Sequence, residues 1–170
     1  MDMHWHSDFA KLWLEACRKA RAPHAVLLTG PVGVGKRAAA SWMAAQRLKG
    51  DAVPALPTYP VERFEHPDMH WILTPEDKKS IGIEQVRALV GELSLTSHQG
   101  SGKVAVIEPA NDMTVNAANS LLKTLEEPPG DALLILIADR IGKLPSTIIS
   151  RCQRIDIAVP AELTALEWLD

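Results

Sequence analysis

Hydrophobic positions fall into short, nearly unbroken runs separated by stretches with helical spacing. Ala25-Val26-Leu27-Leu28, Met69-His70-Trp71-Ile72-Leu73, Lys103-Val104-Ala105-Val106-Ile107 and residues 132–138 are runs of strand length. The last is the most apolar stretch of the chain and reads as a central strand. A fifth strand is expected at 154–157. Between them lie helical patterns. Residues 7–21 place Phe9, Leu12, Trp13, Ala16, Cys17 and Ala20 on one face, with Ser7 as N-cap and Cys17 as a core filler. Residues 38–48 are Ala-rich. Ile83, Val86, Leu89, Val90 and Leu93 share a second face, and Ala118, Leu121, Leu122 and Leu125 a third. That third helix is expected from about Thr114 to the stop at Pro128-Pro129-Gly130. A short helix at 144–149 and another at 162–169 complete the set. Residues 50–67 carry Pro54, Pro57, Pro60 and Pro67, each lacking a backbone donor, and read as a loop excursion. Apolar strands alternating with helices predict an α/β fold with a parallel sheet covered on both faces.

The punctuation after the first strand changes the picture from fold to chemistry. Gly30-Pro31-Val32-Gly33-Val34-Gly35-Lys36-Arg37 has the spacing G-x-x-x-x-G-K-[ST] up to its last position. Glycines let successive amides turn inward around an anion, and the helix that follows aims its positive end at the same point. Gly30, Gly33, Val34, Gly35, Lys36 and Arg37 are therefore the candidate nucleotide-binding residues. In a working phosphate loop the final Ser or Thr hydroxyl holds Mg²⁺. Arg37 offers donors only and cannot ligate a cation. The loop is expected to keep its shape and to have lost its metal site. ATP, ADP or another anion remains a possible occupant without Mg²⁺, and no cofactor is required.

Composition narrows the alternatives. The 170 residues are 46% hydrophobic and 23% charged, with a net charge of −3, so no bulk attraction to nucleic acid or anionic membrane is implied. Arg18, Lys19 and Arg21, with the pair Lys78-Lys79, are the small basic clusters on which a weak DNA-binding reading would rest; as solvated helix ends they need no ligand. No apolar run reaches membrane-span length, and Met1-Asp2-Met3-His4 lacks signal-peptide character. Cys17 and Cys152 match no metal or redox spacing, which fits a reducing cytoplasm. His4 and His6 flank Trp5 without a third ligand nearby, so no metal site is expected.

Several segments resemble one family. Asn119-Ser120-Leu121-Leu122-Lys123-Thr124-Leu125-Glu126-Glu127-Pro128-Pro129 is similar to a segment of bacterial clamp-loader subunits of DNA polymerase III. Residues 144–152, ending in Ser150-Arg151-Cys152, resemble the family's Ser-Arg-Cys segment. His66-Pro67-Asp68 and the 81–87 stretch, Ile81-Gly82-Ile83-Glu84-Gln85-Val86-Arg87, match in the same order. The resemblance implies a three-layer P-loop NTPase fold of the AAA+, RecA-like kind. It implies a five-stranded parallel sheet with the P-loop strand in its middle. It implies a domain over 1–160, with 161–170 beginning a helical lid in a chain about twice as long.

The same resemblance implies roles, and some of them fail on this sequence. Active members have Asp-Glu after the third strand, for Mg²⁺ and for the attacking water. Glu108 and Pro109 stand there, a degenerate pair in which Pro109 has no acid or base. The sensor after the fourth strand is usually Thr or Asn, whereas Ala138-Asp139 occupies it. Relatives often carry a four-cysteine zinc module before the second strand, and residues 49–66 contain no cysteine. Arg151 is the residue expected to retain a catalytic role, in trans, as an arginine finger for a neighbouring ATPase subunit. The implied partners are the gamma/tau and delta subunits, with the sliding clamp and primed DNA reached through the assembled complex. An active P-loop ATPase, with Arg37 tucked aside and Glu108 serving the metal, is the rival reading.

Overall fold

The computed structural model describes residues 1–50, 53–61 and 65–169. Among these residues there are five strands: β1 (Ala25–Thr29), β2 (Met69–Leu73), β3 (Lys103–Glu108), β4 (Ala132–Ala138) and β5 (Gln153–Asp156). They alternate with α1 (Ser7–Arg18), α2 (Lys36–Lys49), α3 (Ile83–Leu93), α4 (Val115–Glu126), α5 (Ser146–Ile149) and α6 (Glu162–Leu169). All strand pairings are parallel, in the order β2-β3-β4-β1-β5. The most apolar run, β4, is the central strand. The P-loop strand β1 is not in the middle, as expected from the resemblance, but second from the β5 edge. The short β5, mostly exposed, takes the outer place that a polar strand tolerates and a fully apolar one does not.

Strand side chains alternate between two cores, as the pleat requires. Leu27, Ala105, Ile107, Leu134 and Leu136 face α3, α4 and α5, where Val86, Leu89, Leu121, Leu125 and Ile148 complete one cluster. Val26, Leu28, Val104, Val106, Ile135 and Ile137 face α1 and α2, meeting Ala10, Trp13, Ala39, Ala40, Trp42 and Met43. The alanines of α2 let that helix lie close to the sheet just behind the phosphate loop. The third helix begins as expected: the Thr114 hydroxyl caps it by accepting from the Ala117 amide at 3.2 Å.

The first helix differs from expectation in three ways. It stops at Arg18, where Lys19 leaves the helical region and Ala20 turns to φ +51°. Ser7 does not cap it: a 3-10 turn over His4–His6 precedes the helix, and the Ser7 hydroxyl donates back to the His4 carbonyl at 2.5 Å. Its buried side is formed by Phe9, Ala10, Trp13 and Leu14, while Leu12 and Ala20 face solvent. Cys17 is exposed rather than a core filler. The face is rotated because His6 and Phe9, not Leu12, meet the phosphate loop and α2. Cys152 packs against the α3–α4 core, and burial pushes its thiol up to about 11.

His66-Pro67-Asp68 proves to be a structural device. The Asp68 carboxylate is fully buried and accepts from the amides of His98 (2.8 Å) and Gln99 (3.0 Å) and from the Ser97 hydroxyl (3.0 Å). Lys103 lies 3.7 Å away. Burial opposes ionisation, yet these donors and the lysine outweigh it and hold the Asp68 carboxyl at about 2. The turn at 97–100 is thereby tied to the start of β3.

Candidate functional site

The carboxyl ends of β1, β3 and β4 open into a cleft of about 1200 Å³. It is walled by the phosphate loop, by Glu108 and Asp139 at strand ends, and by Trp5, Tyr59 and Trp168 from the two termini and the 50–67 loop. Trp168 meets Trp5 and Tyr59 edge-on, with ring centroids 5.3 and 5.5 Å apart. The volume and mixed lining suit a nucleotide-sized ligand.

The loop has the phosphate-cradle backbone. Gly30, Gly33 and Gly35 take φ of +145°, +89° and +94°. At Gly30 a Cβ would stand 2.5 Å from the Ile157 carbonyl oxygen, and at Gly35 it would strike Met3 and His6. The amino-terminal segment thus packs against the back of the loop. The Val34 carbonyl accepts from Trp5 Nε1 at 3.0 Å and lies 3.1 Å from His6 Nε2. A carbonyl only accepts, so the proton of neutral His6 sits on Nε2, leaving buried Nδ1 without a partner. Burial lowers the His6 pKa, against the opposing effect of the Val34 bond.

Both loop cations are already engaged. Lys36 is buried, and its ammonium donates to the Gly30 carbonyl at 2.8 Å and the Pro31 carbonyl at 2.6 Å, and pairs with Asp139 Oδ1 at 2.6 Å. An ammonium has three donors, and all three are taken. Arg37 Nε lies 3.0 and 2.9 Å from the two Glu108 carboxylate oxygens. Trp71 Nε1 donates to the same carboxylate at 3.1 Å. The acid at the metal-binding position therefore holds a guanidinium, and two cations face two anions across the cleft. The donor set does not fit a P-loop Mg²⁺: Arg37 supplies no oxygen, Glu108 is occupied, and Pro109 has nothing to offer.

The nucleotide-binding residues named from the sequence thus come together, as do Glu108 and Pro109 on the facing wall. Besides the Arg37–Glu108 pair, two partnerships escaped sequence reasoning. Asp139 reads as a lost sensor, whereas its carboxylate grips Lys36 while its amide donates to Asn111 Oδ1 at 3.1 Å. Glu126 lies in a segment noted only for its resemblance, yet it pairs with Arg151. An acid where a neutral polar residue is usual was the available signal for the first.

Arg151 does not join this cleft. It sits two residues before β5, whose first residue Gln153 pairs with Val26 near the start of β1, whereas the phosphate loop leaves β1 beyond Thr29, paired with Asp156. Parallel strands put these features at opposite ends of the strands. Arg151 Nε donates to Glu126 Oε1 at 2.7 Å, and Nη1 to the Thr147 carbonyl at 3.0 Å.

The family described as DNA polymerase III, delta subunit, matches residues 5–161. This chain belongs to that family. The DNA polymerase III subunit delta' of Pseudomonas aeruginosa is 42% identical over 165 residues, 93% of this chain and 50% of that protein. The subunit delta' of Bacillus subtilis is 40% identical over 162 residues, 92% of this chain and 48% of that protein. The chain spans about half the length of these curated relatives. Among solved structures, a DNA polymerase III gamma subunit-related protein of Thermotoga maritima superposes with a TM-score of 0.68 at 26% identity, over 89% of this chain and 47% of that one. The RuvB Holliday junction branch migration motor of the same organism shares the fold, with a TM-score of 0.57 at 21% identity over 89% of this chain and 43% of that one. The architecture is the AAA+ P-loop fold, and no helix among the described residues is long and apolar enough to cross a membrane.

Proposed function

We propose that this domain is the delta-prime AAA+ arm of a bacterial clamp loader, acting in cytoplasmic DNA replication without hydrolysing ATP itself. The observation that carries the reading is the complete internal engagement of Lys36, whose three donors go to Gly30, Pro31 and Asp139. A triphosphate entering the cleft must displace Asp139 and face Glu108, with no net positive charge to attract it. Pro109 supplies no base for water. ATP or a simple anion binds weakly, and Mg²⁺ does not strengthen it.

The useful charge lies at the other end of the strands, just before β5. Arg151 lies away from its own cleft, which supports a role for its charge outside this subunit, in a neighbour that docks on that side. There it stabilises charge on a phosphoryl group in that neighbour, supplied by gamma/tau, while delta, the sliding clamp and primed DNA complete the assembly.

Titrating ATP against the purified protein with and without Mg²⁺ tests the cleft: weak, metal-independent binding is expected, and tight Mg²⁺-dependent binding would overturn the reading. For the trans role, full-length protein carrying Arg151→Ala is reconstituted with its partner subunits. A large loss of DNA-stimulated ATPase is expected; an unchanged rate removes Arg151 from the mechanism.

A further inference from the structure

The pairing of Arg151 at the end of α4 has a consequence for the neighbour's chemistry. Glu126 is the last residue of α4, and its Oε1 lies 2.7 Å from Arg151 Nε and 2.5 Å from Nη2. These two nitrogens form one edge of the guanidinium plane. Nη1 reaches the Thr147 carbonyl at 3.0 Å and, at 3.4 Å, the Ser150 hydroxyl. Two elements therefore fix the plane: α4 through its terminal carboxylate, and α5 through a carbonyl in its last turn.

We infer that Glu126 is a positioning residue for Arg151, holding the Nε–Nη2 edge so that the outer Nη1–Nη2 edge is presented to a phosphoryl oxygen of the adjoining subunit. The inference rests on the proposed trans role and adds the group that makes it effective. A flexible arginine has many rotamers, and fixing one before docking removes an ordering cost at the moment of reaction. An exposed pair is well suited to this. The Glu126 side chain is 51% exposed and that of Arg151 33%, so water screens the pair and it contributes little to folding. Its value lies in orientation. A carboxylate at the C-terminus of α4 opposes the helix dipole, so helix stability alone does not account for Glu126 there.

The acid also accounts for a feature of the sequence. Glu126 and Arg151 are 25 residues apart and belong to two separate segments that resemble the family. The fold joins them into one unit.

The test uses full-length protein reconstituted with its own partner subunits, comparing Glu126→Gln, Glu126→Asp and Arg151→Ala. Glu126→Gln keeps the shape and loses the charge. It is expected to lower the DNA-stimulated ATP turnover of the complex about tenfold, with KM for ATP unchanged and with the melting temperature of the purified subunit unmoved. Glu126→Asp is expected to recover part of the rate. Binding of a phosphoryl transition-state mimic, ADP with aluminium fluoride, should weaken alongside turnover while ATP binding does not. If Arg151→Ala abolishes turnover and Glu126→Gln matches or exceeds the unsubstituted rate, the positioning inference is wrong and the trans role stands. If Arg151→Ala itself has no effect, the trans role fails and the inference falls with it. A drop in melting temperature that accounts for the loss of rate would show Glu126 to be structural and overturn the inference.

Discussion

Lys36 Nζ sits 2.6 Å from Asp139 Oδ1, so the lysine expected to meet phosphate meets a carboxylate from the end of β4 instead. The contact closes the cleft electrically from within. Asp139→Ala releases one of the three lysine donors and removes a like charge from the path of an anion. Affinity for ATP or inorganic phosphate is expected to rise about tenfold, or about 1.4 kcal/mol, measured by calorimetric titration. Unaltered affinity would mean that Asp139 does not restrain Lys36.

Arg37 and Glu108 form the second closed pair, with Trp71 on the same carboxylate. The glutamate is mostly buried while the arginine is about half-exposed, so the pair is partly screened. A double-mutant cycle of Arg37→Ala and Glu108→Gln, followed by urea unfolding, should return a coupling of about 1 kcal/mol. Strict additivity would show that the two side chains do not depend on each other.

The loop glycines should separate by what surrounds them. Gly33 has a positive φ but open space where a Cβ would go, so Gly33→Ala is expected to cost about 1 kcal/mol of backbone strain. Gly30 adds a clash with the Ile157 carbonyl, which belongs to backbone and cannot swing aside. Gly30→Ala is expected to cost at least about 2 kcal/mol. Equal melting temperatures for the two variants would contradict this loop geometry.

Asp68 sets an acid limit on the fold. Its folded pKa of about 2 lies below the ordinary 3.8, so below that ordinary value the unfolded chain binds a proton that the folded one refuses. The contribution is complete above pH 3.8 and is lost as pH falls toward 2. Asp68→Asn strands Lys103 and the turn amides, with an expected loss of about 3 kcal/mol at neutral pH. It should also flatten the stability profile between those two pH values. A variant with unchanged acid sensitivity would show that another group sets the limit.

Periodicity made most of the fold legible, because strands buried on both faces must be continuous apolar runs, and β1, β3 and β4 are, while the edge strand β2 is only half-buried. The α1 face was misjudged because its spacing admits two stripes one residue apart; only contact of His6 and Phe9 with the loop and α2 chooses between them. The order of strands is not written in any local pattern, so the place of β1 came out wrong. The phosphate loop was legible as spacing, and the loss of its hydroxyl as a single residue. Lys36 with Asp139, and Arg151 with Glu126, are pairings across long sequence separations, and neither residue announces its partner. Arg37 read as damage until the fold placed Glu108 against it.

The most direct test of the neutralised cleft is phosphate release by this protein alone, with Mg²⁺ and ATP, beside its Lys36→Ala variant. No turnover above the rate of the variant is the expected result. Mg²⁺-dependent hydrolysis that disappears when Lys36 is replaced would contradict the account.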